Sequence, residues 1–417
     1  MLYERWRQIA GERRGATALR DAASGRRWTF AELLAAGETR AAGAGKIIFP
    51  AGHSPEFIFE VLAAWRENRP VCPLEAGQLA PEISRAPESI IHFKFTSATT
   101  GAARLVAFTA GQLAADAENI VATMGLRADW PNLGVVSLAH SYGFSNLVLP
   151  LLLHGVPLVL VPSPLPEAVR RAAEMEAGVT LVAVPAMWRA WHEAGAIPAN
   201  VRLAVSAGAP LPLPLESAVF QARGLKLHNF LGASECGGIA YDASAVPRAD
   251  AACAGPPLQN VNLALNADGC LMVRSEAVAE GYWPEKSAAL AGGVFQTGDL
   301  AELQAGQIFL RGRLDDQINV AGRKVSPEII EGVLLAHPQV RDCLVFGAAS
   351  GDAGRAETIV AVVAGDAVAA ELKQFLLVQL PAWQVPRDWR FVDSLPVNAR
   401  GKLSRRDWRQ RFDAEAG

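Results

Sequence analysis

Phe95-Thr96-Ser97-Ala98-Thr99-Thr100-Gly101-Ala102-Ala103-Arg104 is the stretch on which the reading of this chain turns. It follows the run Ile90-Ile91-His92-Phe93-Lys94, whose β-branched and aromatic residues predict a strand. Four hydroxyls, small residues and a terminal cation are packed into the loop. Such a loop can turn amides and hydroxyls toward phosphate oxygens, with Arg104 adding charge-assisted hydrogen bonds. The same residues also suit a plain Ser/Thr-rich turn, and the stretch is not the GxxxxGK[ST] loop.

Around it lie 417 residues, 51% hydrophobic and 19% charged, enough for two or three domains with their own cores. A net charge of -3 provides no global positive field for nucleic acid or an anionic membrane, so an anionic ligand must be held locally. Cys72, Cys236, Cys253, Cys270 and Cys343 never form a CxxC pair, which points to buried thiols in a reducing, cytoplasmic setting. Glu4, Arg5 and Arg7 precede any sustained apolar run and argue against a secretory signal. The uncharged segment between Asp129 and Glu167 invites a membrane span. His140, Asn146, His154, Pro150, Pro157 and Pro162 interrupt it, so a buried helix followed by a buried strand is expected instead.

Helices at 30–43, opened by Thr29, and at 55–69 alternate with strands at 46–49 and 71–74. Further on come a helix at 119–126, a strand at 134–139, a helix at 166–175 and strands at 179–184 and 201–206. Connections of helical length favour parallel pairing, hence an α/β fold with mixed or parallel sheets. From about 256 to 311 shorter, Gly-punctuated strands (261–265, 271–274, 294–297, 307–311) predict a β-rich subdomain. The last hundred residues read as a separate α+β unit: helix 327–336, strands 342–347 and 357–363, helix 367–379 and strand 389–392. The boundary falls at 312–316, dividing the chain into 1–312 and 313–417. Ser326 before Pro327 and Glu328 reads as a helix start, with Ser capping the free amides.

Four more segments stand out. In Leu231-Gly232-Ala233-Ser234-Glu235, the Glu235 carboxylate suits Mg²⁺, a hard oxygen-seeking ion, or a turn cap. In Thr297-Gly298-Asp299-Leu300, Asp299 suits vicinal hydroxyls such as those of ribose, or an Asx turn. Gly312-Arg313-Leu314-Asp315-Asp316 lies at the boundary and reads as a hinge or a rigid linker. At the basic C-terminal end, Lys402 after Gly401 offers a flexible amine able to enter and leave a neighbouring cleft. An RNA-binding tail is disfavoured by the near-neutral charge and the lack of an aromatic RNA motif. No GxSxG, HExxH or GxGxxG pattern is present.

Taken in order, these segments resemble the adenylate-forming enzymes: acyl-CoA and aryl-CoA synthetases, luciferase and the adenylation domains of peptide synthetases. Thr96 to Arg104 looks like T-S-G-[ST]-T-G-x-P-K, and Ser206 to Leu211 like the Gly-Ala-Pro-Leu segment beside adenine. Leu231 to Glu235 resembles Y-G-x-T-E, Thr297 to Leu300 matches T-G-D-L, Gly312 to Asp316 matches G-R-x-D-D, and Gly401 with Lys402 matches the C-terminal lysine motif.

The resemblance implies a large N-terminal adenylation domain and a small mobile C-terminal domain. It assigns nucleotide contacts to Thr96, Ser97, Thr99, Thr100, Gly101, Gly208, Ala209, Pro210, Leu231, Gly232, Ser234, Asp299 and Arg313. Catalysis falls to Lys402, Arg104 and Glu235, Mg²⁺ to Glu235, the hinge to Asp315, and the acid pocket to His140, Tyr142 and Gly143. His140 reads as pocket wall rather than general base, because adenylation starts from an ionised acid. The implied reaction activates an aryl or fatty acyl acid with ATP and transfers it to the thiol of CoA or to the phosphopantetheine of an acyl carrier protein.

Some positions depart from the family pattern. Ala98 replaces a Gly, Ala103 a Pro and Arg104 a Lys; Leu231 replaces an aromatic residue, with Phe230 beside it as a partial substitute. The chain is short ahead of Thr96 and between Glu235 and Thr297, which suggests trimmed pocket walls. These departures motivate the alternative of a catalytically weak nucleotide-binding homologue serving as partner subunit of a biosynthetic complex. Monomer and homodimer are both compatible with the sequence.

Overall fold

The computed structural model describes residues 1–83, 86–96, 104–350, 357–395 and 405–416. Among the described residues, an eight-stranded sheet runs in the order Gly237–Tyr241, Leu227–Ala233, Val201–Ser206, Val179–Ala183, Asn132–Gly134, Leu158–Leu160, Thr17–Asp21 and Arg27–Thr29. Only the two edge pairings are antiparallel. The inner pairings are all parallel. Parallel strands covered on both faces need continuous apolar runs, and Val179–Ala183 and Leu158–Leu160 are buried throughout.

Local chemistry explains several element boundaries. Thr29 and Glu32 form a reciprocal capping box that opens Phe30–Thr39. The uncharged segment folds as a π turn, Phe144–Val148, continued by the helix Leu149–His154 and the buried strand Leu158–Leu160. Among the described residues no helix is long and apolar enough to cross a membrane. All five cysteines are buried free thiols.

Some expected elements differ. Runs 46–49 and 71–74 make only isolated parallel bridges, Ile48 to Val71, Ala51 to Leu74 and Val71 to His92. Pro50, Pro70 and Pro73 remove the amides that a continuous ladder requires. Regular pairing in 134–139 stops at Gly134; beyond it Ser137 Oγ donates to the Glu75 carboxylate and the chain bends away. The helix expected at 119–126 begins earlier, at Ala110, behind a second capping box made by Thr109 and Gln112. The helix Leu2–Glu12, buried through Trp6 and Ala10, was not foreseen.

A second, antiparallel sheet contains Cys253–Gly255, Gln307–Arg313, Val294–Gln304, Cys270–Arg274 and Asn262–Leu265. A third joins Gly281–Trp283, Leu105–Thr109 and Ile90–Phe95. After the short 3-10 turn Leu314–Asp316, the chain builds a small α+β domain with its own core. Its strand Glu357–Gly365 pairs antiparallel with Val340–Ala349 and parallel with Asp388–Val392. The architecture is thus α/β, with a large N-terminal domain and a small C-terminal one. Ser326 precedes the helix Pro327–Leu334 but makes no side-chain capping bond. It is buried instead where a Cβ on Gly312 would run into its side chain, so packing has displaced capping.

Candidate active site

Thr96 and Arg104 pin the ends of the hydroxyl-rich loop. The Thr96 amide donates to the Arg104 carbonyl at 2.8 Å, and the Arg104 amide donates to Thr96 Oγ1 at 3.1 Å. Ser97, Ala98, Thr99, Thr100, Gly101 and Ala103 lie outside the described residues, as do Gly401 and Lys402. Arg104 also stacks on Tyr282, its guanidinium carbon 4.4 Å from the ring centroid. Antiparallel pairing of Gly281–Trp283 with Leu105–Thr109 brings the two together.

Tyr282 continues the chain of contacts. Its hydroxyl donates to Glu235 Oε1 at 3.1 Å, linking residues 47 positions apart. Glu235 occupies the tight connection between Leu227–Ala233 and Gly237–Tyr241. Burial pushes its carboxyl up; a hydrogen bond from its own backbone amide, the Tyr282 hydrogen bond and the charges of Arg313 and Arg104 oppose that rise. The two cations favour the ionised form, which is the form able to ligate a hard cation. Among the described residues no three His, Cys, Asp or Glu side chains are grouped to hold a metal. Glu235 therefore fits an ion such as Mg²⁺, which retains water and takes most of its ligands from substrate phosphates.

Asp299 and Arg313 stand directly opposite each other on neighbouring antiparallel strands, the guanidinium 3.4 Å from the carboxylate. The Asp299 amide donates to Thr297 Oγ1 at 3.0 Å, so the turn is shaped by its own hydroxyl residue. Pairing register thus joins two motifs that the sequence displays separately. Asp315 is exposed in the 3-10 turn, next to Asp316, whose carboxylate accepts from Arg405 at 3.1 Å.

The proposed acid-pocket residues sit at the carboxyl ends of the parallel strands, where open α/β sheets bind ligands. Tyr142 Oη lies 3.4 Å from the Ala183 carbonyl and 3.5 Å from that of Val205, two adjacent strand ends. Its ring stacks on Phe230 with centroids 6.2 Å apart. A Cβ on Gly143 would run into the Ser137 carbonyl, so only glycine suits that close approach. His140 is half-buried at the start of this turn, where its carbonyl accepts from the Phe144 amide. Gly208, at φ +85°, turns the chain after Val201–Ser206 and leaves itself, Ala209 and Pro210 exposed.

Gly232 packs where a Cβ would lie 2.9 Å from the Gly237 carbonyl, while Leu231 and Ser234 stay half-buried. Phe230 does not stand in for an aromatic residue at Leu231. Adjacent strand residues face opposite sides of the sheet, and Phe230 is buried against Tyr142. Tyr282 was missed by sequence reasoning, because nothing in its spacing marks it as a partner of Glu235.

Sequence comparison matches two family profiles to the chain. The AMP-binding enzyme family profile matches residues 58–283, and that of the AMP-binding enzyme C-terminal domain matches 329–402. A feruloyl-CoA synthase of an Amycolatopsis species is 29% identical over 395 residues, covering 86% of this chain and 78% of the relative. A 2-succinylbenzoate–CoA ligase of Bacillus cytotoxicus is 30% identical over 383 residues, with coverages of 87% and 77%. Among solved structures, ATP-bound MatB from Rhodopseudomonas palustris superposes with a TM-score of 0.85 at 20% identity, covering 96% of this chain and 97% of its own. The o-succinylbenzoate CoA synthetase of Bacillus subtilis, bound to its acyl-adenylate, gives 0.80 at 22% identity, with both coverages 97%. At these identities the structures speak for the fold alone.

Proposed function

We propose, from the premise that this chain belongs to the family of AMP-binding enzymes, that it is an AMP-forming acid–thiol ligase for an aryl carboxylic acid, with CoA as acceptor. The observation that carries the reading is the meeting of Arg104, Tyr282 and Glu235, on which the charge of Arg313 also acts. The aryl preference rests on the acids named for the two relatives and on the stacked Tyr142 and Phe230 rings.

In the first half-reaction a carboxylate oxygen attacks the α-phosphorus of ATP, and the bond to pyrophosphate breaks. In the second, the CoA thiol attacks the acyl carbon, AMP departs and the thiol proton is released. The protein's task in the first step is to offset charge on oxygen and hold the reactants in line. In this reading Arg104 and the loop hydroxyls would contact phosphate, Asp299 and Arg313 the ribose and phosphate side, and Lys402 would bridge the acid and the α-phosphate. Glu235 would hold Mg²⁺, which neutralises phosphate charge when bound. Residues 313–417 move about Asp315 to withdraw Lys402 and admit the thiol.

The test is Mg²⁺-dependent pyrophosphate release from ATP with aryl, short, medium and long acyl acids and amino acids. Selective release with aryl acids is expected, followed by thioester formation with CoA. No release with any acid from folded protein would overturn the reading in favour of a weak nucleotide-binding homologue. Lys402→Ala should slow pyrophosphate release about a hundredfold, the loss of one aimed contact worth roughly 3 kcal/mol. Transfer from supplied acyl-adenylate to CoA should persist, and equal loss in both steps would remove Lys402 from its role.

A further inference from the structure

Behind Glu235, three buried polar side chains from three different elements meet. Lys94 projects from Ile90–Phe95, two residues ahead of Thr96, with its side chain 2% exposed. Its ammonium lies 3.1 Å from Ser145 Oγ, 3.7 Å from Asp116 Oδ2 and 4.6 Å from the centroid of the Phe108 ring. Ser145, in the π turn that follows Gly143, donates to Asp116 Oδ2 at 2.6 Å. Asp116 Oδ1, on the helix Ala110–Met124, accepts the Gly238 amide at 3.1 Å. The turn is pressed so closely on this carboxylate that a Cβ on Gly237, which has φ +70°, would collide with it.

Burying an ammonium and a carboxylate together carries a desolvation penalty of several kcal/mol per ion, and hydrophobic residues often stabilise such sites as well or better. Stability alone is therefore a poor reason for the pair. Its placement supplies another: it joins the strand feeding the phosphate loop, the segment after the acid-pocket turn, and the turn that presents Glu235. We propose that Asp116 is a positioning residue for Glu235: Oδ1 anchors the turn through the Gly238 amide, while Lys94 and Ser145 hold Oδ2 and prevent the carboxylate from rotating. This deepens the ligase reading and rests on it for the activity readout alone.

The proposal distinguishes three variants. In Asp116→Asn, the amide oxygen turns toward the Lys94 ammonium and sets its NH₂ against the Gly238 N–H, donor against donor. In Asp116→Asn with Lys94→Met, the oxygen is free to accept from Gly238 again. In Asp116→Ala with Lys94→Met, the charge is balanced but the acceptor is gone.

Hydrogen exchange in the peptide containing Gly238 reads the anchor without needing turnover, and steady-state pyrophosphate release reads its effect on chemistry. Losing the acceptor of a buried amide should speed exchange and lower kcat by about tenfold or more in the first and third variants. The Asn/Met variant should return to within roughly threefold of wild type, with KM for the acid held within the same margin throughout. Equal behaviour of the two double variants would reduce the network to charge balance and overturn the proposal. Wild-type exchange in Asp116→Asn, or changed exchange with unchanged kcat, would overturn it too. If Asp116→Asn does not fold, the two double variants decide. Absence of pyrophosphate release from the wild type would defeat the ligase reading, separately from the exchange result.

Discussion

Glu235 and Glu331 are both largely buried glutamates, one in each domain, and burial raises both carboxyls, yet their surroundings differ. Both Glu331 oxygens are occupied by strong donors: the Val345 amide reaches Oε1 at 2.7 Å and Arg405 reaches Oε2 at 2.6 Å. Arg405 also binds Asp316 at 3.1 Å, Glu328 at 2.9 Å and the Val345 carbonyl at 3.0 Å. Glu235 takes a neutral phenol instead, while Arg104 and Arg313 act on it through space. A buried acid whose oxygens accept from an amide and an arginine is structural; one bonded by a neutral phenol, with cations acting only through space, suits a ligand. Arg405 closes its cluster around Asp316, next to the proposed hinge.

The largest effect should come from breaking the small domain's cluster. At about pH 8, where the Glu331 carboxyl is ionised, Arg405→Met leaves it buried without its cation, and urea unfolding should show a loss of about 3 kcal/mol or more. An unchanged midpoint would remove the structural half of the contrast. Glu235→Gln should behave oppositely, lowering pyrophosphate release about a hundredfold, roughly 3 kcal/mol in the barrier, with melting temperature unchanged or raised. Lost stability with intact activity would place Glu235 in the same class as Glu331.

A pH comparison sharpens the contrast further. Burial raises the Glu331 carboxyl from 4.5 to about 7, with Arg405 opposing the rise. The folded protein therefore keeps a proton that the unfolded chain releases. This group favours folding most below about 4.5, and its contribution falls as pH rises to about 7. The stability difference between wild type and Glu331→Gln should fall across that window and level off above it; a flat difference would show that the carboxyl titrates normally. The smallest effect belongs to Tyr282→Phe. Removing one neutral donor from Glu235 is worth about 1 kcal/mol, or roughly fivefold in pyrophosphate release.

Much of this was legible along the chain because it depends on near neighbours. Thr29 with Glu32 announces a helix start, and the apolar run at 147–161 divides into helix and strand at its prolines and glycine. Other features depend on distant partners. Ser326 is a good cap by type, but its side chain is taken up by packing at Gly312. Phe230 neighbours Leu231 in sequence yet belongs to the opposite face of its strand, where Tyr142 awaits it. Lys94 inside Ile90–Phe95 and Asp116 on the inner face of its helix are odd charges in apolar settings. That is a visible signal, though not one that identifies their partner.

Sequence alone determined the order of the motifs, the α/β alternation and the residue types available for phosphate, ribose and acid, because these rest on local spacing and side-chain chemistry. Tertiary structure decided which of them meet. Strand register sets Asp299 against Arg313, and sheet pairing carries Tyr282 to Arg104 and Glu235. A buried ion pair ties the Glu235 turn to the strand before the hydroxyl-rich loop. Such contacts span long stretches of chain, and their strength comes from excluding water, which no local pattern specifies.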